Sequence, residues 1–128
     1  MSLKDSLQVM VVDDMSVSRG LIVQALEEIG IMRTSTENNG MAALRKLVGN
    51  PVHLVLSDLN MPELDGLGLL KGLRENRSTA KIGFILITGT PTPELVTKGR
   101  ALGMNNMIKK PFTTASMKQC IESVVGKL

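Results

Sequence analysis

The chain has no tryptophan, no tyrosine and only two phenylalanines, Phe84 and Phe112. Proteins that hold single-stranded nucleic acid stack its bases on aromatic faces, and this sequence offers almost none. Its single cysteine, Cys120, excludes an internal disulfide framework. No apolar run approaches the roughly 20 residues needed to cross a bilayer, and the N-terminal residues do not read as a signal peptide. A cytoplasmic location is therefore the default expectation. The net charge of +3 comes from basic residues scattered along the chain, which reads as a mildly basic solvated surface rather than a nucleic-acid face. Neither nucleic acid nor a membrane is expected as a partner, and a monomer is expected.

The sequence does contain a regular alternation of apolar segments and helical patterns. A length of 128 residues favours one domain, with a core of about 7–127 and residues 1–6 as an N-terminal tail. Strands are expected at about Gln8–Val12, Met32–Thr36, His53–Ser57, Ile82–Ile87 and Asn106–Lys109. Helices are expected at about Ser16–Ile29, from Asn39-Gly40 through Val48, at Gly66–Glu75, at Pro93–Leu102 and at Thr114–Val125. In the first of these helices Leu21, Ile22, Ala25, Leu26 and Ile29 repeat at helical spacing, Ser16 is the expected N-cap and Gly30 the stop. The second strand is the least apolar and suits a sheet edge, whereas Ile82–Ile87 is apolar enough to be covered on both faces. Strands alternating with helices predict an α/β fold: a doubly wound, five-stranded parallel sheet with helices on both faces.

In such folds chemistry gathers at the carboxyl ends of the strands. Asp58 directly follows the third expected strand and opens the stretch Asp58-Leu59-Asn60-Met61-Pro62-Glu63-Leu64-Asp65-Gly66. Asp13-Asp14 follow the first strand, Thr88 the fourth, and Lys109-Lys110-Pro111 the fifth. Carboxylates crowded into one small volume raise their proton affinity and cost stability. A hard divalent cation relieves that cost, and Mg²⁺ is the usual choice where one or two carboxylates and waters suffice. An aspartate attacking a phosphoryl group needs partners for three equatorial oxygens. The cation, a lysine ammonium and the Thr88 hydroxyl with nearby backbone N–H groups would supply them. Gly89 would leave room for the phosphoryl group, and Gly66 would let the loop fold back closely.

Each element alone has a plainer reading. Asp13 or Asp14 could simply cap the first helix, Thr88 could be an ordinary strand-end residue, and either Lys109 or Lys110 could be a surface lysine. His53 starts its strand far from this rim and reads as structural. Cys120 lies on the apolar side of its helix with Ile121 and Val124, which favours packing over nucleophilic chemistry. It is the co-occurrence of the rim residues, in this order, that carries the signal.

Val9-Met10-Val11-Val12-Asp13-Asp14, the Asp58–Gly66 segment, Leu86-Ile87-Thr88-Gly89 and Lys109-Lys110-Pro111-Phe112 resemble the receiver domain of two-component response regulators. The resemblance covers essentially the whole chain and implies the flavodoxin-like receiver fold. In length, and in the stretch from Asp13 to Gly30, the chain most resembles the chemotaxis regulators of that family. The resemblance implies that Asp58 is the phosphoacceptor and that Asp13, Asp14, Asp58 and the backbone carbonyl of Asn60 hold Mg²⁺. It further implies that Thr88 is the switch hydroxyl, that Lys110 pairs with the phosphoryl group, and that the Lys110–Pro111 peptide is cis. The implied partners are a chemotaxis-type histidine kinase and the flagellar motor switch. One position departs from the family: Met107 stands where an aromatic residue, often Tyr, is usual, and it offers packing without a hydroxyl.

Other functions remain to be weighed. One alternative is a receiver that drains phosphoryl groups from a kinase or regulates a partner other than the motor. An aspartyl-phosphate phosphatase of the haloacid dehalogenase type would carry D-x-D after strand one, where this chain has Asp13-Asp14-Met15. A dinucleotide-binding domain would carry G-x-G-x-x-G there, which is missing.

Overall fold

The structure, a computed structural model, describes residues 2–128. It opens with a short helix α1 (Leu3–Ser6), followed by β1 (Gln8–Val12), α2 (Ser16–Ile29), β2 (Arg33–Glu37) and α3 (Gly40–Gly49). The chain continues through β3 (Leu54–Asp58), α4 (Gly66–Glu75), β4 (Gly83–Thr88), α5 (Pro93–Ala101), β5 (Asn106–Lys109) and α6 (Thr114–Val125). The strands form one parallel sheet in the order β2-β1-β3-β4-β5. The polar β2 lies at an edge, as its composition predicts.

Residues alternating along each strand build two cores. Val9, Val11, Leu54, Leu56, Ile85 and Ile87 pack with Ile22, Leu26 and Ile29 of α2 and with Met117 and Ile121 of α6. On the other face Met10, Val12, Val55, Phe84 and Leu86 meet Leu47 of α3 and Leu69, Leu70 and Leu73 of α4. Period-two strands between period-3.6 helices leave only the strand ends for polar function.

Several boundaries differ from expectation by one residue, with a common cause. Strand ends follow the hydrogen-bonded ladder, not apolarity. β2 runs Arg33–Glu37 because Gln8 pairs with Arg33 and Val12 with Glu37, so Met32 falls outside it and is exposed. Asp58 is the last residue of β3, paired with Ile87, rather than the residue after the strand. Thr88 likewise closes β4, opposite Lys109. At α5, Leu102 is the C-cap and Gly103 follows at φ 97°.

Two further corrections concern helix starts. Ser16 is the first residue of α2, and Met15 is its N-cap, with no side-chain cap bond. Leu21, placed on the apolar stripe by spacing, faces outward and is exposed. In the expected tail, the Asp5 carboxylate accepts hydrogen bonds from the Ser2 N–H and hydroxyl and so starts the single turn of α1. Those bonds hold the Asp5 carboxyl below its ordinary value.

Candidate active site at the carboxyl edge of the sheet

β1, β3 and β4 are adjacent and parallel, so Asp13-Asp14, Asp58 and Thr88 emerge at one edge. Carboxylate oxygens of Asp13, Asp14 and Asp58 lie within 4.8 Å of one another. Asp13 is wholly buried, Asp58 is 8% exposed and Asp14 is exposed. The Lys110 ammonium donates to Asp58 Oδ1 at 2.9 Å and to Ser18 Oγ at 3.0 Å, and lies 3.7 Å from Asp13 Oδ2. Of the two adjacent lysines, Lys110, the one the family resemblance implies, enters the cluster, and Lys109 is exposed. The Lys110–Pro111 peptide is cis. Asn60 sits two residues beyond Asp58 on the exposed lip of the loop.

Asp13 divides its work between two oxygens. Oδ1 accepts from the Met15 N–H at 2.9 Å, a local turn that starts α2. Among the described residues, Oδ2 is the buried side-chain polar atom with no hydrogen-bond partner. A buried carboxylate oxygen without a donor is costly. With two further carboxylates beside it, this all-oxygen donor set fits a hard divalent cation such as Mg²⁺.

The loop after Asp58 is held tightly. The Gly66 N–H donates to the Leu59 carbonyl at 2.8 Å, and Asp65 N-caps α4 by accepting from the Gly68 N–H. A Cβ on Gly66 would lie 2.5 Å from the Asp58 carbonyl oxygen and 2.8 Å from Leu86 Cδ1. Here glycine is required for space. A Cβ on Gly89 would meet nothing within 4 Å, in keeping with an open approach beside Thr88. We expect Gly66→Ala to lose roughly 2 kcal/mol in urea unfolding, the overpacking cost outweighing the better helix propensity of Ala. A variant as stable as the native chain would show that the loop can move aside.

Glu63 has φ 68°, and the Pro62 carbonyl accepts from the Leu64 N–H at 2.8 Å. This three-residue turn holds Glu63 in a sparsely populated region, so strain is stored in the loop that follows Asp58.

Sequence reading missed two contacts. Arg19 Nη1 donates to the Asp13 carbonyl at 2.9 Å, a contact that helical spacing does not reveal. Ser18 precedes Ile22 by one helical turn, so it is a polar residue on the core-facing stripe. That polar residue, one turn before the Leu21–Ile29 repeat, is the signal the sequence carries. Beside Lys110 an open groove of about 720 Å³ is lined by Met15, Val17, Leu21, Ala25, Pro111 and Phe112, among others.

The other singled-out residues lie away from the cluster. Nδ1 of His53 accepts from the Gln8 N–H at 2.9 Å, tying together the amino ends of β1 and β3, at the edge of the sheet away from the cluster. Cys120 is buried, and burial pushes its thiol up to about 11, which leaves little thiolate for nucleophilic chemistry. Met107 is half-buried against the core on the α3–α4 face of the sheet.

The model of the response regulator receiver domain family matches residues 9–122. The chain belongs to this family. The receiver is 39% identical over 128 residues to the probable chemotaxis protein CheY of Rhizobium etli, covering 100% of this chain and 99% of that protein. Among solved structures, chemotaxis protein CheY4 of Vibrio cholerae matches with a TM-score of 0.86 at 25% identity, covering 93% of this chain and 98% of that one. The receiver domain of a sensor histidine kinase of Pseudomonas aeruginosa PAO1 matches in fold, with a TM-score of 0.85 at 22% identity over 95% of this chain and 99% of that one. That structure has a magnesium ion coordinated in its active-site cleft. The receiver fold expected from sequence is therefore the fold observed. Among the described residues no helix is long and apolar enough to cross a membrane.

Proposed function

We propose that this receiver is a phosphorylation-dependent switch in chemotaxis signalling, taking its phosphoryl group on Asp58 from a histidine kinase in the cytoplasm. The observation that carries the reading is the Lys110 ammonium 2.9 Å from Asp58 Oδ1, inside a cluster of three carboxylates. In the proposed transfer a carboxylate oxygen of Asp58 forms a P–O bond as the P–N bond of a phosphohistidine breaks. Water later attacks the same phosphorus, breaking its P–O bond to Asp58 and releasing inorganic phosphate and the free carboxylate. Lys110 neutralises charge on the phosphoryl oxygens, and the Thr88 hydroxyl offers a further donor. Asp13, Asp14, Asp58 and the Asn60 carbonyl would hold Mg²⁺, which when bound supplies positive charge to the phosphoryl oxygens. The apolar groove beside Lys110 favours a docked protein as donor.

Output follows from population shift. Phosphorylation adds charge that recruits Thr88 and Lys110, biasing the β4–α5 loop and the α5–β5–α6 face towards a binding-competent arrangement. The motor-switch protein is the proposed partner. A second reading, a phosphate sink or regulator of another partner, is favoured by Met107, which gives the switch packing but no hydroxyl. Titration of a motor-switch peptide against the phosphorylated and unphosphorylated receiver separates the two. The leading reading predicts at least about tenfold tighter binding after phosphorylation. Equal affinity in both states would defeat it.

A further inference from the structure

We propose that Ser18 is a positioning residue for phosphoryl transfer, its hydroxyl anchoring the Lys110 ammonium beside Asp58. The inference rests on the reading of Asp58 as phosphoacceptor. It concerns a residue that enters neither the carboxylate cluster nor the set of groups assigned to the phosphoryl oxygens.

Lys110 carries a compact charge on a flexible four-carbon stem, with three N–H donors and no built-in direction. Its side chain is 30% exposed, so solvent competes for it. Two acceptors hold it within hydrogen-bond distance: Asp58 Oδ1 at 2.9 Å and Ser18 Oγ at 3.0 Å. Asp13 Oδ2, at 3.7 Å, attracts the charge without fixing its direction.

These partners differ in what the reaction does to them. Asp58 ceases to be a free carboxylate once its oxygen is bonded to phosphorus. Asp13 is a member of the cation-binding set. Ser18 is neutral, and no step of the proposed transfer alters it. It can therefore hold the ammonium in one place before, during and after transfer. Its own position is rigid, because Ser18 lies in the first turn of α2, whose next turns bury Ile22, Ala25 and Leu26. Without this anchor the stem regains rotamer freedom and the ammonium spends less time where the phosphoryl oxygens arrive.

The test uses the full chain with Mg²⁺ and acetyl phosphate, following acyl-phosphate formation by intact mass. Ser18→Ala is expected to lower the rate at saturating donor by roughly tenfold, the scale of one hydrogen bond to a charged group. Ser18→Thr, which keeps the hydroxyl, should recover most of that loss. In a Lys110→Ala background Ser18→Ala should change the rate by less than about twofold, because the group it positions is gone. A merely structural serine would lower both backgrounds alike, and that result overturns the proposal, as does a native rate in Ser18→Ala. Nitrogen-detected NMR of the lysine ammonium groups supplies a readout without donor or metal. Solvent exchange of the Lys110 ammonium should quicken several-fold in Ser18→Ala and not in Ser18→Thr; unchanged exchange in Ser18→Ala would also overturn the proposal. If the native chain takes up no phosphate, the reading of Asp58 fails, while the exchange measurement still decides whether Ser18 anchors Lys110.

Discussion

Lys110→Ala is expected to form the acyl phosphate at least about a hundredfold more slowly than the native chain, the scale set by removing one preorganised charge partner from a transferring group. The lysine is the cation paired with Asp58 and Asp13, so its loss leaves developing negative charge unanswered in a partly buried site. Stability should also fall without divalent ions, by about 1–2 kcal/mol. That is less than the cost of breaking a fully buried pair, because the ammonium is 30% exposed. Lys109→Ala is the control: this side chain is exposed on β5, and neither rate nor stability should change appreciably. Time-resolved intact mass and urea titration of both variants check the pair of outcomes. A Lys110→Ala chain phosphorylated at the native rate would remove the ammonium from the mechanism.

Asp13→Asn should shift stability the other way. Carboxylate oxygens no more than 4.8 Å apart repel by about 3 kcal/mol or more at an effective dielectric constant near 20. Asp13 is wholly buried, with Oδ2 lacking a donor. The amide of Asn can still accept from the Met15 N–H through its oxygen while its NH₂ donates towards the remaining carboxylates. Loss of the 3.7 Å attraction to Lys110 offsets part of this gain. A net rise of about 1–2 kcal/mol is expected in chelator, or several degrees in melting temperature. Added Mg²⁺ should stabilise the native chain by mass action and the variant far less. Thermal melts of both proteins, with chelator and with Mg²⁺, read all four values. A native chain indifferent to Mg²⁺ would show that the cluster holds no ion.

How far these groups were legible in sequence depends on which force sets each feature. β1, α2, α4, β5 and α6 have the expected bounds: the apolar run Val9–Val12 marks β1, Gly30, Gly66 and Gly126 mark ends of α2, α4 and α6, and Pro111 follows closely on β5. β2, β3 and β4 each moved by one residue because ladder pairing, which sequence does not display, extends to polar residues such as Glu37, Asp58 and Thr88. α1 escaped notice because four residues are too few for a helical period. Asp13, Asp14, Asp58 and Lys110 could be grouped because strand order in a doubly wound sheet brings them to one edge. The choice between Lys109 and Lys110 could not be made from spacing. Lys109 lies in the ladder opposite Thr88, whereas Lys110 follows the strand and turns into the cluster. Ser18 stands out in sequence as a polar residue on the apolar stripe of α2, but its partner does not: Lys110 lies in the β5–α6 connection, and only the folded chain brings the two together.

The most direct measurement is intact mass after incubation of the native chain and Asp58→Asn with Mg²⁺ and acetyl phosphate. The account predicts one added phosphate on the native chain and none on the variant. Phosphate on both proteins, or on neither, would contradict it.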